Sequence, residues 1–244
     1  MRALRILLIV VVILGGLFVA ADRLAVNFAE DEAADRLRRT ENLAATPDVS
    51  IEGFPFLTQV AGGKLDDVKV GIGTYEAATG DGGTIRIDDL KADMEGVAFS
   101  GDFSSATATA ATGTATISYA ELMKAVKSEP VQVGPGVTAR ITGLSDGGNG
   151  KIKVEIEATV FGVELPRPVS LLSSVTVRDH QVEVAADALP RIGDADLAES
   201  RLRAVTDFRQ AIDRLPGGIE LDQVQATRDG VEITVKGSDV RLAG

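Results

Sequence analysis

The chain has 244 residues, a formal charge of −11, one histidine and no cysteine. That balance argues against nucleic acid, whose phosphates need a positive footprint, and against loose adsorption to an anionic bilayer. The missing cysteine excludes a disulfide framework, a thiolate metal site and a lipid-modified N-terminal Cys, while the length allows one large or two small domains with a real core.

Arg2 and Arg5 precede sixteen uncharged, mostly branched apolar residues, Ile6–Ala21, and Asp22-Arg23 closes the run. A positive flank before an apolar stretch is an export signal, with the arginines held on the cytoplasmic side. Val19-Ala20-Ala21 is small enough for signal peptidase. An uncleaved anchor fits too, because with Ala3 and Leu4 the run approaches the roughly 20 residues that a span needs. Residues 1–21 are therefore read as a signal peptide or transmembrane anchor. Residues 22–244 are read as one exported domain in the periplasm or cell envelope, or on the extracytoplasmic face of the cytoplasmic membrane.

Ala21–Arg39 continues as helix, with Leu24 and Phe28 four apart and a Glu32–Arg36 pair, and Asn42–Pro47 breaks it. From Val49 to about Ile117 the pattern is of short strands, including Val68–Ile72, Ile85–Ile87 and Ala106–Ala110, with a turn at Gly80–Gly83. GFPFLTQ (53–59) reads as a Pro-interrupted apolar strand, with Pro55 favouring an edge or a bend. Ser118-Tyr-Ala-Glu121 is a capping box, opening a short helix that ends near Ser128. Lys151–Ile156 alternates, Val175–Val177 turns into Val182–Val184, and Asp229-Gly230 joins Val224–Thr227 to Val231–Val235 as a hairpin. Between these hairpins, Ala198, Leu202, Val205, Phe208, Ile212 and Leu215 form one apolar stripe, predicting a helix over about 194–215. Leu65–Val70, Ile87–Ala92, Leu172–Val177 and Leu221–Ala226 share a form, two polar residues after an apolar one at the entry to a strand. This is either ordinary sheet patterning or one long repetitive sheet.

The usual routes to catalysis are empty. Gly143-Leu-Ser145-Asp-Gly147 matches the hydrolase elbow, with Asp179 and His180 after it, but that elbow needs a strand before the serine and a helix after. Here a Gly-Asn-Gly turn and another strand follow Ser145, and His180 falls at a hairpin tip. Asp187, Asp194 and Asp196 have no calcium-loop spacing, so no metal site, catalytic residue or cofactor is expected. What remains is apolar: Phe54, Phe56 and Leu57, and the stripe through Leu202, Val205, Phe208 and Ile212. Each is core or the wall of a ligand cavity.

The order of parts resembles the LmeA-like phospholipid-binding family of actinobacterial envelope proteins, grouped with the tubular lipid-binding (TULIP-like) folds. The likeness rests on ADRLAVNFAEDEAADRL after the apolar segment, IEGFPFLTQ linked to LDDVKV, TGTATISYAEL, and the closing LPGGIELDQVQATRDGVEITVKGSDVRL. The resemblance implies an α+β fold, with a strongly curved antiparallel sheet wrapped around a long amphipathic helix and an apolar tunnel for acyl chains. It also implies binding of phospholipids, phosphatidylinositol types among them, and support for the maturation of mannosylated envelope lipids, and it carries no catalytic residues. Phe103–Thr114 departs from the pattern in being rich in Ala and Thr. Each buried methylene is worth roughly 0.8 kcal/mol, so two acyl chains hold on the order of 20 kcal/mol against water, about what a bilayer offers. Direction must then come from the head group, for which Arg36, Arg38, Arg39, Arg167 and Arg191 are candidates, or from a partner. The expectation is a non-enzymatic phospholipid-binding or transfer protein. The alternative is a membrane-anchored envelope scaffold that binds a protein partner.

Overall fold

One uninterrupted helix, α1, runs over Arg2–Thr40 in the computed structural model of the chain. The structure describes residues 2–78, 83–101, 105–126, 129–178, 181–188, 203, 206–211 and 218–243. No helix breaker separates the apolar run from the charged half of α1, so it extends for nearly 60 Å at about 1.5 Å per residue. The chain turns off the helix at Asn42, whose φ is +51°, ahead of Pro47.

After α1 come β1 (Asp48–Glu52), α2 (Phe56–Ala61), β2 (Lys64–Ala78), β3 (Thr84–Phe99) and β4 (Ala106–Ser118). Helix α3 (Tyr119–Ala125) leads into β5 (Val131–Gly134), β6 (Val137–Gly148), β7 (Lys151–Val160), β8 (Val163–Glu164) and β9 (Val169–Arg178). The last strands are β10 (Gln181–Ala186), β11 (Phe208–Ala211), β12 (Ile219–Ala226) and β13 (Gly230–Ala243). Hydrogen bonding orders them as β1-β2-β3-β4-β13-β12 and as β11-β10-β9-β7-β6-β5, with β8 on β7. The fold class is α+β, TULIP-like in its long antiparallel strands.

The chain forms two compact units, residues 1–73, 91–113 and 237–244 in one, residues 74–90 and 114–236 in the other. In the first unit, Val26 and Ala34 of α1, Leu43, Phe56, Val97, Ala108, Ala111 and Val240 are buried. Glu30 ties α1 to β1 by accepting the Ile51 amide at 2.7 Å.

The second unit shows most directly how pattern becomes sheet. Along β7, Ile152, Val154, Ile156 and Ala158 are buried, while the alternating Lys and Glu residues face outward. Ile152, Val154 and Ile156 form one core cluster with Val133, Leu171, Leu221, Val224 and Val231. The β6–β7 pairing slips register between Ile141 and Gly143 and again between Asp146 and Gly148. Such bulges bend and twist a strand pair, which is how a sheet of alternating side chains acquires curvature.

The expected hairpins form. Val182 lies opposite Val177 and Val184 opposite Val175, and the Thr227 amide donates to the Gly230 carbonyl across the β12–β13 turn at 2.8 Å. Gly230 is needed for space, because a Cβ there would overlap the Ile117 backbone. Tyr119 adds a second tie, its hydroxyl donating to the Thr227 carbonyl at 2.8 Å.

Several expectations are corrected. GFPFLTQ is not a strand: Phe56–Ala61 is helix. Helix α3 stops at Ala125. Only half of the capping box forms, with Ser118 Oγ accepting the Glu121 amide while the Glu121 carboxylate accepts the amide of Arg86. The recurring Ile87 and Leu172 segments lie inside β3 and β9 rather than at strand entries. Most of the 194–215 stripe, including Leu202, Val205 and Ile212, lies outside the described residues, as do residues 80–82 of the expected turn. Of the described part, Arg203 and Thr206 are helical and the Asp207 amide donates to the Arg203 carbonyl at 2.7 Å, whereas Phe208–Ala211 overturns the helix, pairing antiparallel with β10 as β11, Phe208 opposite Val184.

Candidate functional site

Identifiable contacts fix most residues of GFPFLTQ in place. Gly53 takes φ +96°, and any Cβ there would meet the Gln59 and Asp66 side chains. The Phe54–Pro55 peptide is cis, and Pro55 precedes the first turn of α2, where a missing amide costs nothing. Phe56 is buried in the first unit's core. Thr58 donates its hydroxyl to the Pro55 carbonyl at 2.8 Å. Gln59 staples the turn to both flanking strands, accepting the Asp66 amide at 2.7 Å and donating to the Glu52 carbonyl at 3.4 Å.

Pro55 supplies no side-chain cap to α2. Asp22 does so instead, from α1. Its Oδ1 accepts the Leu57 amide at 2.8 Å, the Phe56 amide also bonds the carboxylate, and Oδ2 accepts from Arg23 at 2.9 Å. These amides are the first of the helix and have no partner within it, so a carboxylate is a suitable cap. The Arg23 guanidinium lies over the Phe54 ring, 5.1 Å from its centroid, a cation–π distance. Sequence reading treated Asp22 only as the charge that closes the apolar run. No local pattern marks a cap supplied from 35 positions away.

The predicted site residues thus separate. Phe56 is enclosed, whereas Phe54 and Leu57 are exposed beside α1. The backbone of Phe208 sits in β11 at the β10 edge. Leu202, Val205 and Ile212 lie outside the described residues, so the seven are not shown as one surface. Among the head-group candidates, Arg36, Arg38, Arg39 and Arg167 are exposed, Arg39 standing 3.8 Å from Glu32, and Arg191 lies outside the described residues.

Ser145 sits in β6 opposite Lys153 of β7, in a strand-to-strand hairpin rather than a strand-to-helix elbow. Asp179 and His180 lie outside the described residues. Asp187 is paired with Lys151 and Ser174, each at 2.6 Å. Among the described residues no three His, Cys, Asp or Glu side chains are grouped to hold a metal.

Long antiparallel strands, a bulged β6–β7 pair and a long apolar N-terminal helix define an α+β protein of the TULIP-like kind. The chain belongs to the LmeA-like phospholipid-binding family, whose model matches residues 20–236. No curated protein and no solved structure matches it.

Proposed function

We propose that this chain is a non-enzymatic carrier that takes phospholipid acyl chains into an apolar tunnel and hands them on within the cell envelope. The observation that carries this reading is the match of residues 20–236 to a phospholipid-binding family. Residues 22–244 work as one lipid-binding domain on the extracytoplasmic side, and the apolar part of α1 acts as signal or anchor. That segment supports the reading, because every residue from Arg2 to Ala21 is exposed and its most apolar stretch has a mean hydropathy of 2.8. Lipid contact is assigned to Phe54, Phe56, Leu57, Leu202, Val205, Phe208 and Ile212. The proposal extends to a phosphatidylinositol-type ligand and a role in maturing mannosylated envelope lipids, which the family likeness supports.

The test is native mass spectrometry of the full chain from mild detergent, with extraction of bound lipid. Co-purifying phospholipid, and uptake of a fluorescent phospholipid by the delipidated protein, are the expected results. A clean protein that takes up none would overturn the carrier reading and leave the protein-binding scaffold.

A further inference from the structure

The exposed apolar surface does not stop where the apolar run stops. Leu24 is 72 % exposed, Phe28 73 %, Phe54 55 % and Leu57 37 %. All four lie just beyond Ala21, on α1 itself or on the turn that Asp22 caps. Leu24 and Phe28 are one turn apart, and each sits about 200° around the helix from a buried residue, Asp22 and Val26 respectively. Leu24 and Phe28 therefore face away from the side of α1 that receives α2. Large apolar side chains flank both sides of α1 within about two turns of Ala21. A protein partner would cover one side, whereas a surrounding lipid layer covers both.

Length points the same way. The sixteen residues Ile6–Ala21 extend about 24 Å as helix, short of a hydrocarbon core of about 30 Å. At the first end Arg2 and Arg5 can reach the head groups. At the other, the next residue is an aspartate, which ordinarily forbids deeper insertion, yet Asp22 is fully enclosed and its carboxylate is occupied by Leu57, Phe56 and Arg23. Exposed acids return only at Asp31 and Glu32, about 13 Å further along the helix.

We infer that Leu24, Phe28, Phe54 and Leu57 form an apolar collar lying in the interfacial layer of the bilayer that holds residues 6–21. This rests on α1 serving as an anchor, and it gives GFPFLTQ a place at the level where acyl chains leave the leaflet.

The chain contains no tryptophan, so Phe54→Trp, Phe28→Trp and Thr40→Trp each create a single reporter in the full chain. Thr40 lies about 27 Å beyond Asp22 along α1 and serves as the reference. Each variant is reconstituted into phosphatidylcholine vesicles carrying brominated acyl chains and then washed with alkaline carbonate. Strong quenching of the tryptophans at 54 and 28, and none at 40, is the expected result. A protein that stays in the vesicles with neither 54 nor 28 quenched beyond 40 overturns the collar. Quenching at 54 alone also overturns it, in favour of a one-sided lipid contact such as a tunnel mouth. A protein released by carbonate overturns the anchor and the collar with it. Mass spectrometry of bound lipid reads the carrier function independently of all four.

Discussion

The carboxylate of Asp22 holds the Leu57 amide at 2.8 Å, joining the first residue after the apolar run to a turn 35 positions later. Asp22→Ala leaves the Leu57 and Phe56 amides without that acceptor at the start of α2. Hydrogen exchange of residues 56–61 should speed up by about tenfold, the effect expected for a lost helix cap, with β7 unchanged. Equal exchange in both proteins would show that the cap does not hold the turn.

Where the β12–β13 hairpin meets the end of β4 and the start of α3, one hydrogen bond and one close approach hold it, and the two are separable. Tyr119→Phe removes the bond to the Thr227 carbonyl and should lower stability by about 1 kcal/mol. Gly230→Ala drives a Cβ into the Ile117 backbone and should cost about 1–3 kcal/mol. Urea denaturation measures both, and a Gly230→Ala midpoint equal to that of the parent would mean the backbone yields freely there.

Two carboxyls should give opposite pH responses. Burial, then the neighbouring Asp67, pushes Asp93 above the ordinary carboxylate range. Its folded form holds a proton that the unfolded form has released, so its contribution to stability falls as pH rises through the folded value. Asp93→Asn should therefore raise the melting temperature at pH 7 and leave it unchanged near pH 3. For Asp187, the Lys151 ammonium and then the Ser174 hydroxyl hold the carboxyl below its ordinary value. Its stabilisation is present above the unfolded pKa and is lost as pH falls through the folded one, so Asp187→Asn should lower the melting temperature at pH 7 and lose that effect in acid. Parallel thermal melts across pH check both signs.

The core of β7 should be the least forgiving place in the second unit. Ile156 is buried among Val133, Val154 and Leu171 in the same cluster, so Ile156→Ala should cost about 2–5 kcal/mol. Its neighbour Glu157 points outward toward Arg140, and Glu157→Ala should change stability by less than about 1 kcal/mol. Denaturant midpoints of the pair test whether the alternation read along β7 governs its energetics.

What was legible in the sequence was the local part. The alternation from Lys151 to Ile156 pointed to β7, and Asp229-Gly230 to the closing hairpin, because in each case neighbouring residues decide the backbone. GFPFLTQ misled because Phe54 and Phe56, two apart, imitate a strand face. The deciding contacts, Asp22 on Leu57 and Gln59 on Asp66, come from tertiary structure. Phe208 misled for a similar reason: its three- and four-residue spacings fit a helix, but the open edge of β10 paired with Phe208–Ala211. Of the site, the aromatic turn was visible. Its buried carboxylate was not, since an aspartate after an apolar run reads as an ordinary boundary charge.

The unbroken course of α1 through Ala21 bears on processing. Cutting the backbone after Ala21 would make Asp22 an amino-terminal residue, with a new ammonium one carbon from the carbon that carries its carboxylate group. That ammonium would compete with Arg23 and the α2 amides for the same two oxygens. A proteolytic event at the membrane would thus be felt at Phe56 and Leu57, 34 and 35 residues down the chain, without any other atom being removed from the folded body.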